Sequence, residues 1–68
     1  MLHLTAKNFE TEARKSPVPT VVMFYAIWCG KCAMMKPVVE EIEKKYSGQI
    51  KFCEVEIDES AVLAAEYE

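Results

Sequence analysis

The sequence predicts an α/β domain whose parallel sheet carries helices on both sides, and three observations predict it. Val21-Val22-Met23-Phe24-Tyr25, within Thr20 to Ala26, is apolar at every position. Such a run reads as a strand buried on both faces, as helix-covered parallel sheets produce. Gln49 to Ile57 is a second strong strand, with Phe52, Glu54 and Glu56 on one side and Cys53, Val55 and Ile57 on the other. Between the two, Met35, Val38, Val39, Ile42 and Tyr46 recur at i, i+3, i+4, i+7 and i+11. That is one face of a long helix of 3.6-residue period.

Taken in order, Leu2-His3-Leu4-Thr5 alternates and forms a short first strand. Asn8 or Thr5 can cap the helix that follows, which places Phe9 and Ala13 inward and Glu10 and Glu12 in the first turn, where acids suit the dipole. Ser16-Pro17-Val18-Pro19 ends it, because neither proline continues a helix. Pro37 sits inside the long helix and is expected to kink it. Lys44 and Lys45 occupy its last turn, and Gly48 is placed as the left-handed stop. After the strand ending at Ile57, Asp58 or Ser60 can cap a last helix, Ala61 to Tyr67. The order βαβαβα implies a parallel sheet with right-handed crossovers.

The chain of 68 residues is one domain, residues 1–68, with a marginal core of the size that usually needs a disulfide, a metal or a partner to be secure. Half the residues are apolar (51%) and 28% are charged, which is globular composition rather than that of a disordered tail. A net charge of −3 argues against nucleic-acid binding. The charge is uneven: five basic and two acidic residues precede Glu40, whereas three basic and nine acidic residues follow from it. No apolar run reaches membrane-spanning length. The opening Met1-Leu2-His3-Leu4-Thr5 lacks the layout of a secretory signal, so a cytoplasmic protein is expected.

Three cysteines is an odd number, and two stand as Cys29-Gly30-Lys31-Cys32 between the buried strand and the long helix. A spread, even set would suggest a disulfide scaffold; this one does not. At a helix N-terminus, unpaired N–H groups and the dipole favour a thiolate at Cys29, and Lys31 adds positive charge. Cys32 lies one turn on, within reach of Cys29. The division of labour follows: Cys29 attacks a substrate disulfide and Cys32 resolves the mixed disulfide. A structural zinc site needs four ligands, and beyond the pair only Cys53 and His3 are on offer. A c-type haem needs histidine after the second cysteine, where Ala33 stands. A structural disulfide would close too small a loop.

Trp28-Cys29-Gly30-Lys31-Cys32 after Val22-Met23-Phe24-Tyr25-Ala26, with Pro37 five residues past the second cysteine, resembles thioredoxin. The resemblance runs from His3-Leu4-Thr5 through Phe9 to Ile57-Asp58, and weakly to Tyr67. It implies a thioredoxin-like three-layer fold with sheet order 1-3-2. By it, Cys29 matches the nucleophile, Cys32 the resolving thiol, Trp28 the flanking indole that makes a docking platform, and Gly30 the small residue of the turn. Protein disulfides as substrates and a thioredoxin-reductase-type electron donor are implied too. No metal or organic cofactor is expected, since the electrons reside in the Cys29–Cys32 pair.

The sequence also departs from the family. Proline usually stands where Lys31 does, so Lys31 either alters the redox poise or is a solvated surface lysine. Met23 stands where a buried aspartate is usual, and Glu54 where its lysine neighbour is. Either Glu54 reaches across from the adjacent strand and takes over the proton role, or it is a water-facing glutamate beside a plain apolar Met23. The family continues with two antiparallel strands and a helix, and its cis-proline beside the active disulfide would fall just past Glu68. The domain is therefore read as C-terminally truncated, which leaves the edge of residues 20–26 bare. From that edge follows the expectation of a homodimer or strand-swapped oligomer. The rival reading is a non-catalytic binding or assembly module that oligomerises there.

Other residues have plainer readings. Cys53 is a buried small apolar residue or else a regulatory thiol. His3 reads as an ordinary strand residue without a partner in sequence reach. Met34 borders the dithiol, and Glu40, Glu41 and Glu43 form a solvated helix face.

Overall fold

Two crossovers build the sheet in the computed structural model, which describes residues 1–67. Strands β1 (Leu2–Leu4), β2 (Thr20–Tyr25) and β3 (Lys51–Glu56) are all parallel and lie in the order β1-β3-β2. The register sets His3 and Met23 on either side of Glu54, and Leu4 and Phe24 on either side of Val55. Side chains alternate along a strand, so these two sets face opposite ways. Helices α1 (Gly30–Lys45) and α2 (Ala61–Glu66) complete the chain. The architecture is the expected three-layer α/β arrangement.

One face of the sheet is closed and dry. Leu4, Phe9, Cys53, Val55 and Leu63 form a buried cluster, with Ala13, Val22 and Phe24 packed against it. A π-helical turn, Glu10–Arg14, and α2 cover this face. The chain entering the π-helical turn bends at Thr5, whose Oγ1 accepts from the Lys7 N–H at 3.2 Å while the Thr5 N–H donates to Asn8 Oδ1 at 2.7 Å. Neither residue caps the π-helical turn itself, whose N-cap is Phe9 with no side-chain cap bond. The expected α-helix is instead this wider turn, closed by Lys15 N–H to the Glu10 carbonyl at 2.9 Å, with Pro17 stopping further growth. Arg14 ties the turn to α2: it donates to Tyr67 Oη at 2.9 Å and Glu66 Oε2 at 2.8 Å, and lies over the Phe9 and Tyr67 rings.

The other face carries α1, and here two expectations fail. The apolar run of β2 reads as buried on both faces, but the strand is only half-buried, with Val21 exposed. Among the described residues no strand lies on its outer side, so β2 is an edge while β3, buried along Phe52 to Glu56, is the centre. Likewise the stripe Met35, Val38, Ile42 and Tyr46 is not a core face; these residues are 39–50% exposed. The side of α1 turned toward the sheet holds Cys32, Val39 and Glu43, with Lys36 reaching inward to Glu54. Helical period finds the apolar stripe but not how far the sheet extends beneath it.

Local signals fare better. The helix runs unbroken from Gly30 to Lys45 with Pro37 inside it, and Gly48 holds φ +83° just beyond its end. Glu43 is a correction to the solvated acidic face: it is half-buried and accepts from the Met1 amino group at 3.1 Å. Ser60 stands at the N-cap of α2, yet its buried hydroxyl makes no hydrogen bond among the described residues.

Candidate functional site

At the C-terminal end of β2 the chain turns through Ala26 to Cys29, and the Cys29 N–H donates to the Ala26 carbonyl at 3.1 Å. Cys29 keeps extended geometry (φ −94°, ψ 108°) and is the N-cap of α1. Its Sγ accepts from the Cys32 N–H at 3.2 Å, as a serine or aspartate cap oxygen would. The Cys29 and Cys32 sulfurs are 2.6 Å apart, both half-buried. These contacts, led by the hydrogen bond from the Cys32 thiol and then by that from its N–H, hold the Cys29 thiol below its ordinary range. Burial opposes the shift, and the Lys31 N–H and charge reinforce it. The result is a thiolate favoured by one turn of helix and by its neighbour one turn on.

Trp28 stands beside the dithiol, 73% exposed, and its Nε1 donates to Asp58 Oδ2 at 2.8 Å. Asp58 therefore serves to orient the indole from the loop after β3 rather than to cap α2. Ile27, on the turn before the dithiol, and Met34, two residues past Cys32 on α1, are also exposed apolar residues. Gly30 is not demanded by the turn, because its φ is not positive and a Cβ there would meet nothing within 4 Å. What the glycine leaves is open approach to Cys29. Lys31 is exposed, and Pro37 lies on the exposed side of α1, two turns from Cys29.

Beneath the dithiol is a cavity of about 230 Å³, lined by Met23, Tyr25, Ala26, Ile27, Cys29, Cys32, Ala33, Lys36 and Glu54. Glu54 is 8% exposed, which excludes the water-facing reading. It is also fully engaged: Oε2 is 2.9 Å from His3 Nδ1 and accepts from Tyr25 Oη at 3.2 Å, and Oε1 lies 3.3 Å from Lys36 Nζ. Burial pushes the Glu54 carboxyl up, but the hydrogen bonds from His3 and Lys36, the Lys36 charge and the Tyr25 phenol outweigh it and set it below the usual range. Tyr25 moves up, through burial and then the Glu54 charge, so its phenol stays a donor. His3, expected to have no partner, bridges Glu54 and Glu59 (Nε2 to Oε1, 2.7 Å); the two hydrogen bonds raise it above the ordinary imidazole value. Residue type alone gave no sign of this group. The pairing register, which places His3 opposite Glu54, is what reveals it.

Cys53 lies on the opposite face, fully buried, and burial pushes its thiol up. It belongs to the core and is not brought to the dithiol. Among the described residues, no group of three or more His, Cys, Asp or Glu side chains is placed to hold a metal ion, and no helix is long and apolar enough to cross a membrane.

A Cys-x-x-Cys pair capping a helix at the end of a parallel strand defines the class of site. Comparison with known proteins gives the family. The thioredoxin family model matches residues 1–68, and the chain belongs to the thioredoxin family. It is 44% identical over 64 residues to thioredoxin 1 of Nostoc sp., covering 94% of this chain and 60% of that protein. Against thioredoxin 1 of Synechococcus elongatus the identity is 42%, with the same coverage. Against the chloroplastic thioredoxin M5 of Oryza sativa subsp. japonica it is 43%, covering 90% of this chain and 36% of that protein. The chain thus spans about 60% of the length of the first two relatives.

Proposed function

We propose that the chain is a thiol–disulfide oxidoreductase, a protein-disulfide reductase of thioredoxin type, working through Cys29-Gly30-Lys31-Cys32. The observation that carries this reading is the Cys29 sulfur at the helix N-terminus, accepting from the Cys32 N–H with the Cys32 sulfur 2.6 Å away. In the first step the Cys29 thiolate attacks one sulfur of a substrate disulfide. A mixed disulfide forms and the other substrate sulfur leaves as a thiolate. Cys32 then gives up its proton, toward Glu54 through water for which the cavity has room, and attacks Cys29 Sγ. The Cys29–Cys32 disulfide forms, the mixed disulfide breaks, and the second substrate sulfur departs with the electron pair. Two electrons have passed to the substrate. A thioredoxin-reductase-type donor restores the dithiol, so no metal or organic cofactor enters the cycle. The setting proposed is the cytoplasm, where thiols are kept reduced.

The exposed apolar residues Ile27, Trp28 and Met34 suit extended protein segments around a disulfide. Insulin reduction with a dithiol donor tests the whole reading. Turnover that disappears in Cys29→Ser supports it, and an inert parent chain rejects it.

A second reading rests on the open edge of β2 and the half-exposed stripe on α1. In it the chain is a non-catalytic assembly module, or a homodimer or strand-swapped oligomer, paired through residues 20–26. Light scattering over a range of concentrations decides: a dimer mass supports it, and a compact monomer at high concentration overturns it.

A further inference from the structure

We propose that His3 is a positioning residue of the same site: it holds Glu54 and passes to solvent the proton that Cys32 releases when it attacks the mixed disulfide. The inference rests on the oxidoreductase reading above. It starts from placement. Glu54 has one end of its surroundings in the dithiol cavity and the other on His3, whose side chain is 42% exposed against 10% for that of Glu54. Cys32 and Glu54 line the same cavity, and His3 on the adjacent strand links that carboxylate to the solvent side.

Hydrogen-bond capacity explains why His3 suits the task. Its two ring nitrogens face two carboxylates, Glu54 at 2.9 Å and Glu59 at 2.7 Å. Protonated, the imidazolium donates to both. Neutral, it carries one N–H and can donate to only one. The neutral ring regains both bonds when Glu54 is protonated, because Glu54 then donates to Nδ1 while Nε2–H donates to Glu59. A neutral His3 thus favours a proton on Glu54, whereas an imidazolium opposes it. Other groups surround the carboxylate as well. Lys36 from α1 lies 3.3 Å from Glu54 Oε1, the Tyr25 phenol from β2 stays a donor, and Glu56 on β3 turns its Oε1 to the Glu59 N–H at 2.7 Å. His3 is the member of this set whose ordinary titration lies near neutrality.

The Cys32 S–H proton moves to Glu54 through water, then from Glu54 to His3 Nδ1 as the Nε2 proton passes to Glu59 and solvent. The thiolate left behind attacks Cys29 and expels the substrate sulfur. His3 regains its starting charge as the other tautomer, with Nδ1–H now facing Glu54, and exchange of its exposed ring's protons with solvent restores Nε2–H before the next cycle.

The test isolates that step. Cys29 is loaded with thionitrobenzoate, and release of the coloured thiolate is followed against pH in the parent, His3→Gln, Glu59→Gln and Cys32→Ser, with the His3 titration read by NMR. In the parent the release rate is expected to rise through an inflection that coincides with the NMR titration of His3. His3→Gln is expected to lose that inflection and to run about tenfold slower above it, part of the ~100-fold or more that a positioned proton acceptor supplies. Glu59→Gln is expected to keep the inflection but move it toward ordinary imidazole values, a displacement that a purely structural His3 would not produce. An inflection that survives in His3→Gln, or that stays in place in Glu59→Gln, overturns the proposal. No release in the parent, or equal release in Cys32→Ser, overturns the exchange reading itself and the proposal with it.

Discussion

Cys53 and Glu54 are neighbours in the chain, yet their side chains live in different media. The Cys53 face of β3 is sealed by Leu4, Phe9, Val55 and Leu63. The Glu54 face holds a carboxylate with three partners, a cavity and the dithiol, under a helix with no buried residue. Among the described residues, Phe52 alone gives that face a buried aromatic. One strand therefore divides the molecule into a side that holds the fold and a side that does chemistry. In a domain with so little core, this spares the apolar cluster the cost of accommodating charge.

The sharpest way to break the comparison is to remove an equal amount of side chain from each side. Leu4→Ala takes atoms from a fully buried position in the cluster and is expected to cost about 3 kcal/mol, from lost transfer energy and the cavity left behind. For a domain whose total stability is only several kcal/mol, that unfolds much of the population. Ile42→Ala, on the half-exposed stripe of α1, is expected to cost less than about 1 kcal/mol, because alanine's helix propensity offsets part of the loss. Urea denaturation of both variants measures the difference. Equal costs would show that α1 is as much part of the core as β1.

That difference marks what could be read from residues alone. The alternating first strand, the apolar second strand and the Cys-x-x-Cys-helix junction act through near neighbours, so the element order, the parallel sheet and the placing of Cys29 at a helix N-terminus followed from spacing. Burial is set by what lies on the far side of an element. The same apolar run at 21–25 fits a central strand or an edge, and the stripe on α1 fits a covered or an open face. The site was legible in the same proportion. Cys29 and Cys32 are three residues apart, whereas the His3–Glu54 and Trp28–Asp58 contacts join residues far apart in the chain and depend on strand register and loop path. A lone histidine in the first strand carries no mark of the carboxylate it will meet.

A smaller effect, and one with a sign, belongs to the polar face. Glu54→Gln keeps the shape but removes the charge that His3 and Lys36 meet, and is expected to cost about 1–2 kcal/mol where both partners are charged. His3 binds its proton more tightly folded than unfolded, so its contribution is full below the ordinary value of 6.5 and fades as pH rises through the raised folded value. Glu54 binds its proton less tightly folded. Its contribution is full above the ordinary 4.5 and is lost as pH falls through the lowered folded value. The cost of Glu54→Gln should therefore be largest between pH 4.5 and 6.5 and shrink on both sides. A cost that does not vary with pH would mean that the carboxylate is held by shape rather than by charge. Leu4→Ala, on the dry face, should show no such profile.

The least effect is expected at Gly30, and it sharpens the division because it sits on neither face. Gly30 is the first residue of α1, its φ is not positive, and a Cβ there meets no atom within 4 Å. Alanine loses less backbone entropy than glycine on entering a helix, so Gly30→Ala is expected to raise stability by about 0.5 kcal/mol. The same methyl would stand in the open approach to Cys29. If the glycine is kept for access, the variant melts slightly higher, its thiol is alkylated by a small reagent at the parent's rate, and it reacts more slowly with insulin. If instead the variant is less stable than the parent, the glycine serves the turn and the reading of open approach is wrong. Thermal melts beside the two rate measurements separate these outcomes, since one depends on the backbone and the other on what must reach the sulfur.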